Sequence, residues 1–311
     1  MNIELSADAL EYGKQARRAF EAAGGDKLIQ RAEAEPDRRE ELVAPVLAQL
    51  GAWELDPRGD PGELEAAAAL CRGAGYWALP YPVAERLARP AHADGLIVVA
   101  GTNPRGPVAG LGLRWAAVTL DGRCATAVAR PPDAPARESA FVTGLEVTPA
   151  SGDDALDVAL GLVLPCWTLL GMLDRAMDLA RSHVLVREQF GQTLSRFQGV
   201  QFQLTDAETE RNGMEMLARY ALWSVQSGLD EAVEDALALR LAAIEAASVV
   251  FRVAHQLHGA LGFCDEAPLS WLSRYSQPLR RLPLGLSATR DELTRRIGRR
   301  GLTGLYSERS A

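Results

Sequence analysis

Apolar residues recur at helical spacing over most of this chain. After Asp153 and Asp154, which supply a cap, Leu156, Leu160, Leu164, Leu169, Leu173, Ala176, Leu179 and Val184 follow one another at that spacing and predict a long helix containing Pro165. Two more long helices are predicted, from about Phe197 to Gly228 and from Asp230 to Leu257, and shorter ones around Pro268 to Tyr275 and Ser287 to Arg299. Three long helices joined tightly indicate an antiparallel bundle. The first ninety residues predict shorter helices. One is capped by Ser6 or Asp8 and ends at Gly24-Gly25; one runs from about Pro36 to Leu50; one starts at Asp60-Pro61 and ends near Gly73 or Gly75; a short one covers Val83 to Leu87. Between them the period changes. Gly95 to Ala100 and Phe141 to Thr148 are strand candidates, and Trp115 to Leu120 with Cys124 to Ala129 form a hairpin around Asp121-Gly122. The expected organisation is mainly α with a small β module: residues 1–92 helical, 93–150 β, and 151–311 a helical bundle.

Composition narrows the function classes. With 48% hydrophobic and 24% charged residues the chain is globular rather than disordered. A net charge of −8 disfavours a nucleic-acid partner, because phosphate binding needs a concentrated basic surface. The one basic run, Arg295, Arg296, Arg299 and Arg300, is expected to be a solvated last helical turn. Cys71, Cys124, Cys166 and Cys264 have no metal-site spacing, and His255 and His258 lack further ligands, so no metal is expected. No basic n-region with an apolar stretch opens the chain and no charge-free apolar run reaches membrane-spanning length, so a cytoplasmic, membrane-free protein is expected.

Three stretches carry candidate chemistry. The first is R-E-Q-F-G-Q-T-L-S-R-F-Q-G-V from Arg187 to Val200, too polar for a core helix and placed at the corner between two long ones. Arg187 can grip a phosphate with two N–H groups and Gln189 can read a base or ribose edge. The second is Q-L-H-G-A-L-G-F from Gln256, where Gly259 and Gly262 permit positive φ or close backbone approach, the plain alternative being helix C-capping. The third is Glu245, flanked at helical spacing by Leu241, Ala242, Ser248 and Val249 with no cation at pairing distance. Buried, it would be a candidate general base; otherwise it reaches solvent or a cation of another helix.

R-E-Q-F-G-x-x-L-x-x-F-Q-x-V-Q, Q-L-H-G-A-L-G-F and the closing S-A-T-R-D-E-L-T-R-R-I-G-R together resemble the C-terminal helical domain of the acyl-CoA dehydrogenase family. The resemblance implies that fold, FAD as cofactor, and α,β-desaturation of an acyl-CoA, with electrons passed to an electron-transfer flavoprotein. It implies that Arg187, Gln189, Phe190, Gln256 and Gly259 hold the diphosphate and adenosine of an FAD bound mainly by a neighbouring subunit, Ala260 replacing the second glycine of the family's pair, and that Glu245 occupies a position of the catalytic base. The family's flavin-ring segments, a T-E-x-x-x-G-S-D-like run and a W-I-T-like strand, are missing between Pro82 and Ser151. In this the chain resembles the short subunit of the α2β2 acyl-CoA dehydrogenases of steroid-degrading actinobacteria, implying a full-length partner and a steroid-derived substrate. A non-catalytic subunit that clamps the partner's FAD, and a redox-inactive acyl-CoA-binding protein, are the alternatives.

Overall fold

The computed structural model describes residues 2–101, 103–130 and 141–301. At its centre lies a single helix, α6 (Ala155–Val186), packed against the rest of the molecule on several sides. Asp154 caps it by accepting from the Asp157 N–H at 3.1 Å, and the helix runs through Pro165 to its last turn. It is long and apolar enough to cross a membrane, but 78% of that apolar window is buried inside the protein, as a core helix requires. Two further long helices, α7 (Gln198–Gln226) and α8 (Ala232–His258), pack on it and on each other to form the bundle. The bundle is completed by α9 (Pro268–Tyr275), α10 (Gln277–Arg281) and α11 (Leu286–Arg300).

The N-terminal helices are α1 (Ala7–Ala23), α2 (Asp26–Ala34), α3 (Arg39–Gln49), α4 (Pro61–Tyr76) and α5 (Val83–Leu87). Ser6 caps α1 and Asp60 caps α4, each accepting a backbone N–H three residues on. The pattern missed α2, which follows Gly25 directly, and placed the start of α3 at Pro36, where the chain instead makes a 3₁₀ turn. Helix α4 crosses α6 at backbone contact. A Cβ on Gly75 would lie 1.8 Å from the Thr168 carbonyl oxygen, and one on Gly171 would lie 1.9 Å from that of Arg72. Beside this crossing Arg72 and Arg211 bridge Asp174 and Glu215, tying α4, α6 and α7 together at 2.6 to 3.0 Å.

The β module is a five-stranded sheet in the order β1-β3-β4-β5-β2: β1 (Gly95–Val99), β2 (Arg105–Gly106), β3 (Trp115–Thr119), β4 (Arg123–Ala129) and β5 (Thr143–Asp153). Strands β1 and β3 pair parallel and the other pairs antiparallel; the predicted hairpin is β3–β4, with Gly122 at positive φ in its turn. One contiguous apolar core runs from the N-terminal helices through the sheet into the bundle, taking in Phe20, Leu70, Leu96, Leu145, Trp167 and Val250. The basic run is a correction. Arg296 is nearly buried, bonded to Glu292 and Glu234 and donating to the Leu120 carbonyl, while Arg295 pairs with Glu292 and Asp121. These residues fasten α11 to α8 and the sheet; only Arg299 is exposed, and the side chain of Arg300 lies outside the described residues.

Candidate functional site

The stretch from Arg187 to Val200 folds as the corner its polarity suggests. Arg187 ends α6: its N–H donates to His183 O at 2.9 Å and its carbonyl accepts from the Leu194 N–H at 2.8 Å. A two-residue hairpin follows, β6 (Glu188–Gln189) against β7 (Gln192–Thr193). Phe190 and Gly191 form its turn, both at positive φ, as tight hairpins demand. That conformation is unusual for a phenylalanine, and the residue is 91% exposed, its ring centroid 6.3 Å from that of Phe197 in an edge-on arrangement. Helix α7 then begins at Gln198 with no side-chain cap and no acidic residue in its first turn. Gly199, in its first turn, has open space at its Cβ position.

Across from this corner α8 ends at Gly259, whose positive φ of 60° closes the helix and whose Cβ position faces open space. Gly262 serves the other glycine role. A Cβ there would lie 3.0 Å from that of His258 and 3.2 Å from His255 Nδ1. The two ends enclose a groove of about 570 Å³ lined by Arg187, Gln189, Gln203, Gln256, Gly259 and the ring of His258, among others. Four of the five predicted binding residues therefore share one groove, and Phe190 stands just outside its lining.

Sequence reasoning missed the imidazole pair in that groove. His183, from the last turn of α6, stacks on His258, from the last turn of α8, at 4.5 Å and 21°. His258 Nδ1 sits 2.8 Å from the Ala254 carbonyl, so it carries the proton and leaves Nε2 as acceptor. Burial lowers both pKa values, and for His183 the neighbouring His258 and Arg187 lower it further. The two residues are 75 positions apart in the chain, so spacing gave no signal. The groove offers an arginine, amide side chains, flat neutral rings and an uncapped helix N-terminus. Those are the donors and surfaces that hold a dinucleotide's diphosphate and base.

Glu245 lies elsewhere. Its side chain is 47% exposed and pairs with Arg290 of α11 at 2.9 Å, so the burial expected of a base on that face is not present. The cation comes from another helix, which a search at helical spacing does not reach. A different carboxylate is partly withdrawn from solvent. Glu85 of α5 lines a partly open pocket, and burial pushes its pKa up to about 7 against the lowering influence of its own backbone and Arg39. It is one of only two charged residues between Gly73 and Ala88, with Arg86, which is the signal that could have found it.

Residues 163–286 match the family described as acyl-CoA dehydrogenase, C-terminal domain. The 3-sulfinopropanoyl-CoA desulfinase of Paraburkholderia xenovorans is 35% identical over 107 residues, which is 34% of this chain and 26% of that protein. The chain thus matches about a quarter of the length of such curated relatives. Among solved structures, the Tcur3481-Tcur3483 steroid ACAD G363A variant superposes with a TM-score of 0.78 at 20% identity, covering 95% of this chain and 99% of that one. The ChsE4-ChsE5 complex from Mycobacterium tuberculosis gives 0.72 at 18% identity, covering 98% and 100%. The architecture is that of the acyl-CoA dehydrogenases. It is the helical bundle, over residues 163–286, that is similar to the acyl-CoA dehydrogenase C-terminal domain.

Proposed function

We propose that this chain is a subunit of an FAD-dependent acyl-CoA dehydrogenase, working with a full-length homologous partner and contributing the diphosphate and adenosine half of the cofactor site. The observation that carries this reading is the single groove that gathers Arg187, Gln189, Gln256 and Gly259 beside the uncapped start of α7. When bound, FAD supplies the hydride acceptor for α,β-desaturation of an acyl-CoA. This chain's part is to neutralise and orient. Arg187 and the start of α7 would neutralise the diphosphate, Gln189 and Gln256 would offer amides to the ribose and base, and Gly259 would let the backbone approach. Phe190, held at the hairpin tip in a conformation phenylalanine rarely adopts, would offer its exposed ring to the cofactor. The name of the steroid ACAD supports a steroid-derived acyl group, and an electron-transfer flavoprotein is the proposed electron acceptor.

In this arrangement Glu245 docks α11 through Arg290 rather than moving a proton. That favours the second reading, in which the chain clamps the cofactor and completes the assembly while the partner supplies the base. Co-expression with a full-length homologue tests both. Yellow, dehydrogenating protein is expected only from the mixture, and Arg187→Ala is expected to lower its flavin content about tenfold or more, the loss of a charge-assisted bidentate contact. Unchanged flavin content in Arg187→Ala refutes the groove assignment. Loss of turnover in Glu245→Gln with flavin retained would restore Glu245 as the base.

A further inference from the structure

The groove where α6 and α8 end carries a fixed positive charge on Arg187, and among the described residues that line it there is no carboxylate. The other titratable groups of the lining are the imidazoles of His183 and His258. Their rings stack with centroids 4.5 Å apart and planes 21° apart, and both residues are half-buried. Beside the pair, α6 adds Arg187, and α8 adds His255 in the turn before His258. His255 lies outside the lining, its ring stacked on Phe263 at 4.4 Å. The hairpin, the 3₁₀ turn after it, α7 and the segment after α8 bring only amides and apolar groups to the lining, Gln189, Leu194 and Gln203 among them.

These surroundings favour neutral rings. Burial disfavours an imidazolium at either position, and at His183 the neighbouring His258 and Arg187 disfavour it further. His258 Nδ1 keeps its proton against the Ala254 carbonyl oxygen at 2.8 Å, so Nε2 is the atom that can gain one. A diphosphate diester reverses the balance. It brings about two negative charges to the guanidinium of Arg187, and an anion within about 4–6 Å favours imidazolium as a cation disfavours it. Stacking limits the gain. Two charged rings in contact repel, so the pair takes up about one proton rather than two.

We propose that the His183–His258 pair is the groove's second cation: binding a dinucleotide's diphosphate draws about one proton from solvent onto the pair, and the chain holds its cofactor more tightly as pH falls. This rests on the groove holding the diphosphate half of FAD, and it adds two binding residues and a proton to that site. The sign follows from the protons carried. The bound form carries more, so affinity rises as pH falls through the pair's titration and levels off once the free pair is protonated too.

ADP-ribose is the probe. It has the adenosine and diphosphate of FAD without the flavin ring, and its diphosphate, a diester, does not titrate near neutral pH. Binding to the intact chain, and to its flavin-stripped assembly with the partner, is followed by calorimetry near pH 7 in two buffers of different ionisation heat, whose difference counts the protons taken up. About one-half to one proton per ligand is expected, with affinity falling about tenfold from about pH 6 to about pH 8. The double variant His183→Phe, His258→Phe keeps flat rings and removes the titration; it is expected to bind more weakly near pH 6 and without proton uptake. Binding to the unmodified protein with no proton uptake overturns the proposal and leaves the cofactor groove standing. Undiminished uptake in the double variant does the same, since the proton then goes elsewhere, as to His255. Absence of ADP-ribose binding in both preparations overturns the proposal and the cofactor reading together. Should the double variant not fold, nitrogen NMR of the imidazoles in the unmodified protein decides: a ring of the pair moves to the imidazolium position as ADP-ribose is added, and unmoved signals overturn the proposal.

Discussion

Replacing Glu85 by glutamine should change how the protein's stability depends on pH. Glu85 has a folded-state pKa raised from 4.5 to about 7, with burial the chief cause. Below about pH 4.5 the carboxyl is protonated both folded and unfolded, and its titration costs nothing. As pH rises from there to 7 the unfolded chain releases the proton and the folded chain keeps it, so stability falls by about 1.4 kcal/mol per pH unit. Above 7 both forms are ionised and the cost levels off at about 3 kcal/mol. Glutamine has the same shape and no titration. Urea unfolding of both proteins near pH 4.5 and near pH 8 gives the difference in stability at each, in which the contributions of other groups cancel. Relative to the parent, Glu85→Gln should gain about 3 kcal/mol between the two conditions. The absolute offset is a separate quantity, since a buried amide needs partners of its own. A difference that stays flat to within about 1 kcal/mol refutes the claim that desolvation raises the Glu85 pKa.

Gly171→Ala should destabilise by about 1–3 kcal/mol or more, because a Cβ 1.9 Å from the Arg72 carbonyl oxygen forces α4 and α6 apart. Gly213→Ala, on α7 with nothing within 4 Å, should stabilise by about 0.5–1 kcal/mol; thermal melts compare the two. A thiol reagent should modify Cys264 first in the native protein, since it is exposed, while Cys71 and Cys166 react only after unfolding. Burial raises both of the latter thiols, Cys166 to about 11, so neither offers a thiolate near neutral pH.

The helices and the hairpin were legible because their signals are local. Caps such as Ser6, Asp60 and Asp154 and the turn at Asp121-Gly122 act through neighbours in the chain. Helix α2 escaped because it starts directly after the glycine pair that ends α1, with only nine residues to show a period. The groove was legible as two separate motifs, and folding brought them together. What sequence could not supply was the partner of each charged side chain. Arg290 reaches Glu245 from another helix, Arg296 reaches Leu120 from the far end of the chain, and His183 meets His258 only because two helices end side by side. Glu85 was passed over because its five-residue helix shows no period, although with Arg86 it carries the two charges of an otherwise uncharged stretch.

The close crossing of α4 and α6 bears on where this molecule can be cut. The segment that matches the C-terminal domain family begins at residue 163, part-way along α6 and after its cap. A fragment with those limits would lose the first turns of the central helix and expose the face on which Gly171 meets Arg72 and Gly75 meets Thr168. A soluble truncation is therefore expected to need α4 together with the bundle.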